Sequence, residues 1–481
     1  MTPGASSRLT RSGRGVVARP RPPSRRPASA GLLLAPLLAA CGSGGEGPDF
    51  VRGELITFTG APTSPNGAWC WFQDERAVVD VGHPDGPMLM FTAISASRTD
   101  SSEMGDLDLH FLGLEGGPRG TVELHDRLEQ DDHDVAALVR LETGETLAMY
   151  SRHGSDPLVH VTRSGVHDPS TWSEPEVYTE EAGVTYHNLL TAGTGAERRL
   201  YDFSRSRGWN PNFLTYDPSS GTWAYGGRLL ASEGRPYLKY RSSDDGSRIH
   251  VVATDQHPRD FDNSIYHGIM DGTRLTDSHG NVVDGDLSDQ DAAAPSELTV
   301  VFRGDPDNVA WMADVETDPR GRPVIAFSVQ KDGRGLPPGQ GGLDHRYHLA
   351  RFVDGGWVQH EIAHAGERLY PREDDYTGLV AIDPHDVDRL VISTNADPVT
   401  GAPLVSRADG LRHYELFEGT STDGGATFTW TPLTRNSSVD NLRPIIPTWE
   451  GDRRVVLWMR GTYTSYTAWD TQIVGLVQDR R

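Results

Sequence analysis

DDHDVAALVRLETGETLAMYSRH, residues 131–153, reads as two β-strands joined by a short turn. Val135, Ala137 and Val139 alternate with smaller or polar neighbours, Glu142 to Glu145 makes the turn, and Leu147 to Tyr150 returns. In an antiparallel pair the start of one strand lies beside the end of the next. His133 at the opening and His153 at the close are therefore expected on one rim. Two imidazoles brought together there can move protons near neutral pH, or bind a metal or an anion.

The same pattern recurs six more times. Arg76, His187, Tyr237, Asp314, Tyr376 and Arg443 each open an apolar strand, and a second apolar strand closes at Ser95, Arg205, Asp255, Gln330, Asn395 and Arg460. Opener and closer are 16 to 20 positions apart in all seven units, and openers recur every 50 to 77 residues. So narrow a spread marks a structural repeat. Third strands follow at LDLHFLGL, LVHVTRS, NFLTYD, SIYHGIM, RYHLARFVDG, HYELFEG and TQIVGLV. Ser421 to Phe428 carries the Asp-box pattern S-x-D-x-G-x-T-F, with a degenerate copy from Asp217 to Trp223. The seventh unit lacks a fourth strand, and Glu54 to Thr59 can supply it, closing the ring so that no long edge stays bare. The expected fold is all-β: one seven-bladed β-propeller of four-stranded antiparallel blades over residues 50–481, with the openers around one mouth of the channel. The chain's 32 Pro and 53 Gly suit a turn-rich β architecture.

Residues 1–41 hold seven Arg and no acidic residue, followed by the short apolar run Gly31 to Ala40. This is the layout of an export signal, too short for an ordinary membrane span. Leu38-Ala39-Ala40-Cys41 matches a bacterial lipobox, with Cys41 as the lipidated residue and 42–49 as a flexible tether. The expectation is an exported, cell-surface or secreted bacterial protein, a monomer, held to a membrane only by its lipid. Loss of residues 1–40 takes the formal charge from −23 to −30, which argues against nucleic acid and means that an anionic ligand needs a local positive site. Cys70 is the one other cysteine; it lies between Trp69 and Trp71 and reads as core.

The expected rim gathers Arg76, His133, His153, His187, Arg205, Tyr237, Arg443 and Arg460, with Tyr186, Tyr240, His257 and Arg259 close by and the carboxylates of Asp131, Asp132, Asp134, Asp314, Asp374 and Asp375. Imidazole, phenol and guanidinium together suit β-elimination of a 4-linked uronate. The C5 proton is barely acidic while the neighbouring carboxylate is charged, so Arg and protonated His must neutralise it. A Tyr or His then takes that proton, and one of them protonates O4 as it leaves. No cofactor is required.

Several strings resemble the BNR-repeat propellers that include ulvan lyases and related enzymes cutting rhamnose–glucuronate linkages. They are Gly67 to Val78, Asp131-Asp-His133, Tyr150 to His153, Thr185 to Asn188, Trp209-Asn-Pro211, Arg235 to Tyr240, and Asp255 to Arg259 with Asn263 to Tyr266. The resemblance implies an acidic polysaccharide as partner, with His133 and Tyr186 for proton transfer and His153 and Arg205 as carboxylate neutralisers. It also implies Tyr237 or Tyr240 against the uronate; His187, Arg259, Arg443 and Arg76 are the further substrate-binding candidates. Two other classes fit the same fold. One is a glycoside hydrolase, exo-rhamnosidase or sialidase-like, drawing on Arg205, Arg259 and Arg443 and on paired carboxylic acids. The other is a carbohydrate-binding propeller without catalysis. For metals, His257, His267 and His279 are candidates for a structural Zn2+, and the Asp-rich rim for Ca2+.

Overall fold

The computed structural model describes residues 49–480, except 59–65, 74–75, 97–103, 218–219, 290, 334–335 and 338. The expected export signal, Cys41 and all but the last residue of the expected tether lie outside the described residues.

Seven antiparallel sheets follow one another along the chain. Their inner strands are Asn66–Ala68 with Ala77–Asp80 in blade 1, then Ala137–Arg140, Thr185–Ala192, Leu238–Ser242, Val309–Thr317, Val380–Asp383 and Asp440–Ile445. The second strands sit between neighbours on both faces, so they read as continuous apolar runs. Met88–Ala96 and Pro323–Gln330 are buried at every position. The blade 2 hairpin turns where expected: Leu141 and Glu145 bond across it and Gly144 takes φ +86°, a conformation open to glycine without strain.

Ring closure follows the sequence reading. Ile56–Thr57 pairs with Ala468–Asp479 as the outer strand of blade 7, in the register Ile56 to Gly475 and Thr57 to Val474. A strand from the start of the described chain thus holds the last blade, and no long edge is left open there. Blade 4 departs from four strands. The Asp-rich stretch from Leu275 to Leu298 contributes Val282–Asp284, and Thr299–Phe302 just beyond it also joins that sheet. The Asp-box stands on the third hairpin of blade 6, where Asp423 accepts from the Thr427 amide at 2.9 Å and hydroxyl at 2.6 Å. That hairpin lies at the opposite end of its blade from the openers, so it staples a turn and takes no part in the mouth.

The openers themselves are placed by local breaks in the inner strands. His133 lies on a short 3-10 turn, Asp132–Asp134, ahead of its strand, with Asp131 capping the turn by accepting the His133 amide at 3.0 Å. In blades 3, 5 and 7 the break is a register shift inside the strand: Thr185/Asn188, Met312/Asp314 and Leu442/Ile445. Such a bulge re-aims a side chain. Tyr186 and Arg443 hold positive φ there, +62° and +53°. A bulky residue in that region is strained by about 1–3 kcal/mol. For Tyr186 the bulge is braced by the Asn188 side-chain amide, which donates to the Tyr186 carbonyl at 2.8 Å and to Phe203 at 3.2 Å.

The channel is filled beneath the mouth. Trp71 and Phe72, from the segment joining the two halves of the blade 1 inner strand, pack into a ring of Tyr186, Tyr237, Trp311 and Tyr376. These aromatics belong to the largest apolar cluster of the molecule. They give the mouth a solid floor.

Candidate active site

Asp131 organises the mouth. Its two carboxylate oxygens reach two imidazoles: Oδ1 lies 2.5 Å from His133 Nδ1 and Oδ2 lies 2.9 Å from His153 Nδ1. The rings stack with centroids 3.9 Å apart at 14°. With both Nδ1 atoms turned to Asp131, each ring presents Nε2 on its far edge. His133 has a second carboxylate, Asp132, at 3.2 Å from Nδ1. Asp132 in turn is gripped by Arg443 Nη1 and by the Tyr463 hydroxyl, both at 2.6 Å.

That asymmetry separates the two histidines. Burial pushes the His133 imidazole down, but the Cys70 sulfur, Asp131 and Asp132 around it hold it well above the ordinary histidine range. His153 is brought down to about 4, by burial first and then by the charge on His133, against the pull of Asp131. Near neutrality the pair therefore carries one proton too many, and it sits on His133. His153 is neutral with Nδ1–H on Asp131, which leaves a lone pair on Nε2.

Tyr186 stands beside both rings, 5.2 Å from His133 and 5.8 Å from His153 by centroid. Burial, then the neighbouring Tyr237, raise its phenol well above the usual value, so it keeps its proton. The Arg205 guanidinium lies 4.4 Å over the Tyr186 ring, 4.9 Å from Trp209 and 5.3 Å from Tyr237. It comes from the end of the second strand of blade 3, where Thr185 pairs with Arg205. His133, His153, Tyr186, Arg205 and Tyr237 are thus brought together as the sequence reading requires.

The remaining residues separate. Arg259 reaches the mouth from the blade 4 hairpin and bonds Glu373 at 2.5 Å. His257 beside it is driven down to about 2 by burial and by Arg235, Arg259 and Arg205. Tyr240 lies in the core between blades 3 and 4, stacked 4.4 Å from Phe203, because it alternates to the face opposite that of the mouth residues. Of the two tyrosines proposed for the uronate, Tyr237 alone is at the mouth. His187 is fully buried between Asp202 at 2.9 Å and Ser151 at 3.0 Å and joins adjacent blades. Arg443 is buried behind the site, bonded to Asp132, to the Trp69 carbonyl at 2.6 Å and to Tyr463 at 2.9 Å. Arg76 lines a cavity deeper in the channel with Lys239, Asp314 and Glu316. Arg460 reaches Asp49 at 3.2 Å.

The candidate metal ligands divide too. His267 is buried against His250 at 3.1 Å and His279 is exposed on another turn, so with His257 they form no common site. Among the described residues, donor atoms of Asp131, His133 and His153, or of Cys70, Asp132 and His133, lie close enough to share a cation. Two of the rim carboxylates are held by backbone amides. Asp314 accepts the Val315 and Ile382 amides at 2.8 and 2.7 Å, and Asp374 accepts those of Gly339 and Gly341.

Two features were not singled out in the sequence. The structuring role of Asp131 is written in the DDHD string, since an acid two residues before a turn histidine can cap and bind it. Tyr466, on the blade 7 hairpin, packs edge-on to His133 and His153 at 5.2 and 5.9 Å. Nothing near it in sequence points to the histidines.

Residues 115–365 match the model of a BNR repeat-containing family. No curated protein matches the chain. Among solved structures, an ulvan lyase from a new family of polysaccharide lyases is 14% identical with a TM-score of 0.61, over 87% of this chain and 95% of the lyase. A structure of such a lyase bound to -[GlcA(1-4)Rha3S]- gives 15%, 0.59 and the same coverage. An α-L-arabinofuranosidase from Fusarium graminearum is 14% identical with a TM-score of 0.39, over 72% of this chain and 92% of that one. At these identities the likeness is one of fold.

Proposed function

The chain belongs to the BNR repeat-containing family, and on that premise we propose that it is a polysaccharide lyase cleaving a 4-linked uronate glycan of the rhamnose–glucuronate kind by β-elimination. The observation that carries the reading is the Asp131-bridged, stacked imidazole pair set against Tyr186 beneath the Arg205 guanidinium. The ulvan lyase likeness supports the substrate class.

The charge asymmetry exchanges the parts that the resemblance implies for the two histidines. His133, charged and tied to two carboxylates, joins Arg205 in neutralising the uronate carboxylate. His153 Nε2 takes the C5 proton, and the C5–H electrons form the C4=C5 double bond as the C4–O4 bond breaks. Tyr186 gives its phenolic proton to the departing O4. Each proton transfer by a positioned group is worth about 10²–10⁴-fold, and carboxylate neutralisation in a water-poor site a comparable factor. The floor of Trp71 and Phe72 closes the channel below and helps to keep that site dry.

We propose that the basic and apolar N-terminal run exports the chain and that a lipid on Cys41 anchors it, which would place it where an extracellular polymer is met. Cys41→Ala should move the protein from the membrane fraction into the soluble fraction.

Incubation with ulvan and with rhamnoglucuronan tests the chemistry. Elimination leaves an unsaturated uronate that absorbs in the ultraviolet, and hydrolysis does not. Reducing ends released without new absorbance would eliminate the lyase reading in favour of a hydrolase.

A further inference from the structure

The large hydrophobic side chains exposed on the described surface include three aromatics: Trp209 at 54%, Phe261 at 43% and Tyr466 at 39%. All three stand on hairpins joining second to third strands, in blades 3, 4 and 7. Those hairpins are at the mouth end of the propeller. An aromatic ring left in water costs hydrophobic free energy, so grouping such rings at one end needs a reason other than folding.

Their placement relative to the reacting groups is specific. Tyr466 lies against the outer edges of His133 and His153. Its backbone is fixed there, because its carbonyl accepts the Asp132 amide at 2.9 Å and that of Thr467 accepts the Gln130 side chain at 2.9 Å. At the other side, Trp209 lies over Arg205, which itself lies over Tyr186. Trp209 is held by a tight hairpin in which both it and Arg207 adopt positive φ, +68° and +43°. The order across the mouth is therefore Tyr466, the histidine pair, Tyr186, Arg205, Trp209.

We infer that Trp209 and Tyr466 are the two sugar-stacking platforms that seat the glycan across the site, each holding a 6-deoxyhexose on one side of the reacting uronate. A pyranose presents its axial C–H bonds as an apolar face, and a 6-deoxy sugar adds a methyl group to it. Exposed aromatic rings are the surfaces that such a face covers. The charged groups between the platforms take the uronate, so the two rings read the spacing of a chain in which 6-deoxyhexose and uronate alternate. This inference rests on the reading of the His133–Tyr186 cluster as the reacting centre; the platforms bind sugar whether the bond is broken by elimination or by hydrolysis.

The test uses the full chain. Affinity for ulvan and for uronate-free rhamnan is measured by calorimetry in a Tyr186→Phe background, and cleavage is followed separately by ultraviolet absorbance in otherwise wild-type protein. Trp209→Ala and Tyr466→Ala should each weaken ulvan binding about tenfold, the range of one lost aromatic contact. In the active protein each should raise KM with little change in kcat, and Trp209→Tyr should recover most of the loss. Val81→Ala, exposed at the far end of blade 1, serves as the control and should change nothing. Unchanged ulvan affinity in both alanine variants would overturn the inference, as would a wild-type chain that binds neither glycan. Trp209-dependent binding without an absorbing product would uphold the platforms and remove the lyase chemistry.

Discussion

His133 and His153 lie ring on ring, 3.9 Å apart, and share one carboxylate, Asp131, yet only His133 has a second carboxylate at its Nδ1. Two stacked imidazoles cannot both hold charge cheaply, and the extra acid decides which one does. Asp131→Asn removes the shared anchor while keeping its shape. It should lower kcat about 10²–10³-fold, the loss expected when an orienting acceptor is removed from a proton-transfer group. It should also cost about 1–3 kcal/mol of stability, because a buried charge loses its partner. Steady-state rates and a thermal melt check both. A variant with wild-type kcat would show that the bridge is merely architectural.

The pH profile follows from the same pair. Below about pH 4 His153 takes a proton and ceases to be a base, so kcat/KM should fall on the acid side there rather than near 6.5. On the alkaline side activity should fail where His133 loses its charge, well above the ordinary histidine value. The sign for stability agrees: a raised histidine stabilises the fold fully below its unfolded value and loses that contribution as pH rises through its folded value. A melt series should therefore show a drop at alkaline pH that His133→Gln abolishes. An acid limb near 6.5 would contradict the assignment of His153 as the neutral base.

Much of this arrangement was legible in the chain. The constant opener-to-closer distance encodes a blade, because a hairpin of fixed length returns to the same rim, and Glu54 to Thr59 was readable as the missing strand. What the spacing could not carry was side-chain direction. Tyr237 and Tyr240 are three residues apart on one segment, yet one enters the mouth and the other the core between blades, since strand alternation and the strand start at Leu238 decide their faces. Arg443 opens its unit like the others, but its bulge turns it onto Asp132. Tyr466 reaches the histidines only because ring closure brings the blade 7 hairpin to the same mouth as the turn ahead of blade 2, where the Tyr466 carbonyl accepts the Asp132 amide.

Trp71 offers a test of the floor. It meets Phe72, Tyr237, Trp311 and Tyr376 within 4.1 to 6.0 Å by centroid. Trp71→Ala should leave a cavity costing about 3–5 kcal/mol. It should also lower kcat, because the ring that supports Tyr186 and Tyr237 loses its centre. Trp71→Phe should restore most of the stability. Differential scanning calorimetry against wild type reads the effect, and an unshifted transition in Trp71→Ala would mean that the channel is not packed around this residue.

Arg443 separates a buried strut from a ligand for the glycan. Its guanidinium has three partners from distant parts of the ring: Asp132, the Trp69 carbonyl and the Tyr463 hydroxyl. Burial works against its charge, but Tyr463 and Asp132 hold it more firmly protonated than a free arginine. Arg443→Met keeps the volume and removes the charge, which takes from the buried Asp132 its arginine partner and leaves it only the Tyr463 hydroxyl and His133, at a cost of about 3–5 kcal/mol. Lysine should not rescue it, because a single ammonium cannot replace a planar fork that serves three acceptors in different directions. The melting temperature should fall by several degrees in both variants, while KM of the folded protein stays near wild type. Tyr240→Phe, which removes a hydroxyl from the core between blades 3 and 4, should leave KM and kcat within about twofold, since surface-remote changes without lost packing are small. If Arg443→Met instead melts like wild type and raises KM, the guanidinium faces substrate and the strut reading is wrong.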